Sequence, residues 1–97
     1  MAVKIYKLST GETILCDSED GQTDQSVPVQ VRRPLLMIFN EQGIRLAMWC
    51  PADMSEPVLL NRSLIVAECH AVEPLANEYR SKFGGIVTAP AGLVTPP

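Results

Sequence analysis

The sequence predicts a mainly β domain: a strongly bent antiparallel sheet followed by a short C-terminal helix and an extended tail. Three observations predict it. Apolar and polar residues alternate through most of the chain up to Val72, which is the period-2 signature of half-buried strands. Turn residues punctuate that pattern at Ser9-Thr10-Gly11, Asn40-Glu41-Gln42-Gly43 and Asn61-Arg62-Ser63. A helical start and stop signal is carried by the segment after Glu73.

In the first strand Val3 and Ile5 point one way, while Tyr6 and Leu8 point the other. The chain then turns through Ser9, Thr10 and Gly11 and returns as a second strand from Thr13 to Asp17, making a hairpin. From Asp17, where that strand ends, to Ser26 the residues Asp17, Glu19, Asp20, Gly21 and Asp24 suit an exposed loop whose negative charge aids solubility. Val27, Val29 and Val31 next alternate with Pro28, Gln30 and Arg32, and after Pro34 the run Leu35 to Phe39 is apolar on both faces. That is one long strand with a bend. Proline cannot donate to a ladder, so Pro28 and Pro34 belong at an edge, a bulge or a change of partner.

Asn40 to Gly43 supplies a hairpin turn with Gly43 at positive φ, and Ile44, Leu46, Met48 and Cys50 give the next strand one core face. Residues 51–57 form a loop. Val58–Leu60 and Leu64–Val72 form a final strand pair around Asn61-Arg62-Ser63. The helix spans about 74–83, with Pro74 in its first turn and Gly84 and Gly85 at its end. Leu75, Tyr79 and Phe83 share its buried face, and Glu78 and Lys82 its solvent side. Residues 1–83 thus form the domain. Residues 84–97 form an uncharged Gly, Ala, Pro, Thr and Val tail, either free or laid as a strand on a neighbour's sheet edge.

A chain of 97 residues fits one domain and buries only about 60 to 65% of the surface its unfolded form exposes. Such a thin core needs support from disulfides, a metal or another subunit. Cys16, Cys50 and Cys69 are odd in number and widely spaced, with no secretory signal before them. They therefore read as reduced, packed side chains of a cytoplasmic protein. They also lack any close pairing with one another or with His70 that would hold zinc, so no cofactor is expected. Charged residues interrupt every apolar run before it reaches membrane-spanning length. A net charge of −3 and a pI near 5.0 argue against a broad basic face for duplex nucleic acid. Self-association is the remaining source of stability.

The order Tyr6-Lys7-Leu8-Ser9-Thr10-Gly11-Glu12-Thr13-Ile14, Pro34-Leu35-Leu36, Glu73-Pro74-Leu75-Ala76-Asn77-Glu78-Tyr79 and Phe83-Gly84-Gly85-Ile86-Val87 resembles small Sm-like proteins of marine phages over most of the chain. A fainter similarity to Sm proteins lies at Leu8-x-x-Gly11-x-x-Ile14 and Asn61-Arg62-Ser63-x-Ile65. The resemblance implies a small Sm-like barrel and a homo-oligomeric ring, pentamer to heptamer, in which the edge strand of each subunit pairs with the next. It also implies single-stranded RNA or DNA as the ligand. Three features depart from the Sm pattern: no helix precedes the first strand, Ser63 stands where glycine is usual, and no Asp-x-x-Met-Asn segment occurs. The wider family's base contacts therefore do not transfer.

In such a ring Arg62, with Asn61 beside it, repeats around a central pore, where several copies can meet phosphates and flat bases together. The plainer reading of Arg62 is a surface or intersubunit ion pair. Arg32 and Arg33, the adjacent basic pair, offer a second phosphate contact or a merely solvated face. Trp49 lies opposite the Ile44, Leu46 and Met48 face of its strand and reads as a subunit contact. His70, on the Glu68 side of its strand, reads as structural. No nucleophile elbow, P-loop, dinucleotide fingerprint or paired-carboxylate framework is present, so the chain is not expected to be an enzyme. The expected function is a ring-forming nucleic-acid-binding module, with a structural or adaptor ring as the alternative.

Overall fold

The structure, a computed structural model, describes residues 2–50 and 55–88, the last five of them as backbone only. Its elements are β1 (Ala2–Leu8), β2 (Thr13–Ser18), β3 (Val29–Asn40), β4 (Gly43–Met48), β5 (Val58–Leu60), a 3-10 turn (Arg62–Leu64), β6 (Ile65–His70) and α1 (Glu73–Thr88). The six strands form one antiparallel sheet in the order β4-β3-β2-β1-β6, with β5 also paired to β3. Val31 lies between Ser18 of β2 and Val58 of β5, and Leu35 between Leu15 of β2 and Met48 of β4. Successive stretches of one side of β3 are therefore taken by β5 and then β4. Among the described residues the fold is mainly β with one C-terminal helix, and the strands are not hydrogen-bonded into a closed barrel.

The β1–β2 hairpin is held by Leu8 N–H donating to Glu12 O (2.8 Å) and Gly11 N–H donating to Leu8 O (2.9 Å). Gly11 has φ 97°, a left-handed geometry in which a Cβ is costly. The period-2 pattern then sorts side chains to two cores. Tyr6, Leu8, Ile14, Cys16, Val29, Val31 and Leu60 form one cluster, with Trp49, Val58 and Ile65 against it. Val3, Leu15, Leu35 and Met37 form the other beneath Ala76 and Tyr79 of α1. The first cluster thus draws on both β5, which pairs with β3, and β6, which pairs with β1.

The bend in β3 has a local cause. The β2–β3 register shifts between Leu15 and Asp17, leaving Arg33 and Pro34 in a bulge. There the missing proline N–H breaks no ladder bond, as expected for Pro34. Arg33 adopts φ 50°, which costs a residue with a Cβ about 1 kcal/mol. Tyr79 stabilises that geometry from above: its hydroxyl donates to the carbonyls of Arg33 (2.7 Å) and Arg32 (3.2 Å).

Four expectations are corrected. Val58–Leu60 and Ile65–His70 do not pair with each other; β5 pairs with β3 and β6 with β1. The 3-10 turn capped by Asn61 redirects the chain instead of closing a hairpin. The face of β4 read as core is largely open, with Ile44 49% and Met48 60% exposed, because α1 does not extend over them. Helix α1 runs through Gly84 and Gly85 to Thr88; glycine weakens a helix by about 1 kcal/mol without forbidding it. Asp17 is not loop but buried strand, paired with Arg33. The tail beyond Thr88 lies outside the described residues.

Candidate nucleic-acid interface

The loop from Glu19 to Pro28 has too little apolar content to pack on its own, and side chains from three strands and the 3-10 turn hold it. Gln22 acts as a substitute strand: its Nε2 donates to Gln30 O (3.0 Å) and its Oε1 accepts from Gln30 N–H (2.8 Å). At the far side Arg62 donates from Nε to Val27 O (2.6 Å) and from Nη2 to Gln22 O (2.9 Å). Arg62 thus clamps two backbone carbonyls of the loop, a use of the guanidinium that the sequence does not announce. Its neighbour Asn61 caps the 3-10 turn, its Oδ1 accepting from Ser63 N–H and Ser63 Oγ, both at 2.9 Å.

Loop and turn together enclose a groove of about 380 Å³ lined by Gln25, Val27, Pro28, Leu59, Asn61 and Arg62. Its walls are apolar and open: Val27 is 48% and Leu59 62% exposed. Its rim carries side-chain amides and part of one guanidinium. That combination suits a flat group with apolar faces and polar edges. The groove holds little excess charge, because Asp24 lies close enough for Arg62 to help lower its pKa, behind hydrogen bonds from the Ser26 side chain and backbone.

The other candidates are placed apart. Arg32 donates to Ser55 O (3.0 Å) and lines a separate cavity of about 150 Å³ with Glu19, Gln22 and Gln30. Arg33 turns toward α1, where it pairs with Asp17 and lies 5.4 Å from the Phe83 ring centroid. Trp49 lies just past β4, half-buried against the first cluster, its Nε1 donating to Glu12 Oε1 (3.3 Å). The groove therefore unites Asn61 and Arg62, and leaves Arg32, Arg33 and Trp49 outside its lining.

A second polar cluster was not foreseen from the sequence. Lys4 is buried on β1, yet its ammonium reaches Glu68 (2.8 Å) on β6 and Asp20 (2.9 Å) in the loop. Burial opposes its charge, but hydrogen bonds to Glu68 and Asp20 outweigh this and raise its pKa above 10.5. His70 Nε2 lies 3.1 Å from the same Asp20 carboxylate. No signal in the sequence marks Lys4, because a lysine in an alternating strand reads as a solvent-facing residue.

Hydrogen bonding from Lys4, with a smaller contribution from His70, holds the Asp20 carboxyl below its ordinary 3.8. A group with a lowered folded pKa contributes stability that is present above its unfolded pKa and lost as pH falls through the folded value. The loop's anchorage at Asp20 is therefore expected to persist at neutral pH and to fail only below about pH 4. Following loop amides by NMR through an acid titration checks this; release already at neutral pH would contradict it. Cys16, by contrast, is packed in the core, where burial pushes its thiol up to about 12. It serves as an apolar side chain there. Compared with models of known protein families and with curated proteins, the chain matches none.

Proposed function

We propose that this chain is an assembling β-module of the Sm-like kind. Its sheet curls into a small, strongly bent barrel, and its copies join edge strand to edge strand, β6 of one against β5 of the next, in a ring of pentamer to heptamer size. The ring offers the groove beside Asn61 and Arg62 to single-stranded RNA or DNA. The observation supporting assembly is that β6 and β5 each carry an open outer side among the described residues, while both feed the same core cluster. Joining copies there satisfies backbone groups that a lone protomer leaves to water.

The groove gives the nucleic-acid reading its chemistry. Apolar walls stack on a base, and the Asn61 amide and Gln25 meet its edge, while Arg62 chiefly holds the loop that forms one wall. Arg32 and Arg33 already hold internal partners, so recognition rests on bases more than on phosphates. One observation favours the alternative of a structural or adaptor ring: Arg32, Arg33 and Arg62 are all engaged internally, on a chain of net charge −3.

Titrating labelled single-stranded RNA and DNA oligonucleotides at two ionic strengths separates the two. Binding with a shallow salt dependence is expected, because few phosphates are neutralised. Arg62→Ala is expected to abolish it by freeing the loop. Leu59→Ala, which leaves the clamp intact, is expected to weaken it by about 1 kcal/mol, roughly fivefold. Failure to bind even at low salt overturns the nucleic-acid reading and leaves the adaptor ring.

A further inference from the structure

We infer that β4 is a separate assembly edge, which pairs with β4 of a second copy about a twofold axis. This goes beyond the ring contact, which uses β5 and β6.

The register fixes which backbone groups of β4 are free. Asn40 and Gly43 close a hairpin with two residues between them, and the closing pair of such a hairpin is hydrogen-bonded. Alternation along the ladder then makes Ile38–Arg45 and Leu36–Ala47 the next hydrogen-bonded pairs. The N–H and C=O groups of Ile44, Leu46 and Met48 consequently point away from β3. Among the described residues no strand lies on that side.

The same three residues carry exposed apolar surface. Directly paired residues share a face, so Ile44, Leu46 and Met48 stand beside Phe39, Met37 and Leu35, on the face that α1 covers. Coverage runs out along it. Leu35 and Met37 are buried and Leu46 half-buried, but Phe39 is 61%, Ile44 49% and Met48 60% exposed. Free backbone and apolar side chains therefore coincide on one strand, whose charged residue, Arg45, lies on the opposite face.

Charge and facing select a second copy as the occupant. With the twofold at Leu46, this residue meets the partner's Leu46, Ile44 meets the partner's Met48, and Arg45 meets the partner's Ala47. Every outward backbone group is then paired, and no like charges are opposed. A shift that centres the axis on Arg45 would set two guanidiniums against each other.

The β6 edge does not match β4 as a partner. Ala71 N–H donates to Val3 O (3.0 Å), so by alternation the outward groups of β6 belong to Glu68 and His70, opposite Tyr6 and Lys4. Self-pairing centred on Glu68 sets one Glu68 against the partner's Glu68. Pairing β6 with β4 would bring Glu68 and His70 among Phe39, Ile44 and Met48.

Amide hydrogen exchange across a concentration series tests the proposal. Arg45 and Ala47 are expected to be protected throughout by β3. Ile44, Leu46 and Met48 are expected to exchange at least about tenfold more slowly in concentrated than in dilute protein. The double variant Ile44→Lys with Met48→Lys is expected to remove that difference. Free exchange of these three amides at every concentration overturns the proposal. Protection that survives both dilution and the lysines also overturns it, because the cover would then come from within the chain. Protection of the Glu68 and His70 amides reports the ring contact, so loss of one contact is distinguishable from loss of the other.

Discussion

Tyr79→Ala is expected to destabilise the domain by about 3 to 5 kcal/mol, a large part of the total stability of a chain this size. Tyr79 is 1% exposed at the centre of the second cluster. Its ring lies 5.1 Å from that of Phe83, and its hydroxyl donates to the carbonyls of Arg33 and the neighbouring Arg32. Alanine leaves a cavity between helix and sheet and strips both carbonyls of their donor. Tyr79→Phe isolates the second part and is expected to cost about 1 to 2 kcal/mol. Urea unfolding measures both. An alanine variant within about 1 kcal/mol of the parent would mean that α1 contributes little to holding the sheet.

Arg33→Ala is expected to cost about 2 to 4 kcal/mol, somewhat less than for a fully buried pair because the Arg33 side chain is 38% exposed. The loss comes mainly from Asp17, whose carboxylate is left with only 12% side-chain exposure and no cation beside it. Two comparisons separate the causes. Arg33→Gly loses the same ion pair but relieves the left-handed backbone, so it is expected to be about 1 kcal/mol less harmful than alanine. Adding Asp17→Asn to Arg33→Ala removes the stranded charge and is expected to recover part of the loss. Denaturant midpoints of the parent, these three variants and Asp17→Asn alone test this; losses in the double variant equal to the sum of the two single losses would show that the two residues are not coupled.

The strands and their turns were legible because they depend on local patterns. The Gly11 and Gly43 turns, the β1–β2 hairpin and the bend at Pro34 each have a signature within a few residues. What was not legible depends on distance along the chain. Alternation in β4 shows that Ile44, Leu46 and Met48 share a face, but not how far α1 extends over them. Asp17 was read with its acidic neighbours because its partner Arg33 is supplied by another strand.

The site shows the same division. Asn61 and Arg62 were identified as a pair beside a tight turn, and they do line the groove. The use of Arg62 was not foreseen, because its acceptors are the backbone carbonyls of Gln22 and Val27, which no side-chain pattern announces. The apolar walls, Val27 and Leu59, belong to elements that meet only in the folded chain.

Solution mass across a concentration series, by sedimentation equilibrium or light scattering, tests most directly whether copies complete this sheet. Assembly through the open edges predicts a pentamer to heptamer of the 10.6 kDa chain, or a multiple of it where β4 also pairs. A particle of 10.6 kDa at every concentration would contradict it.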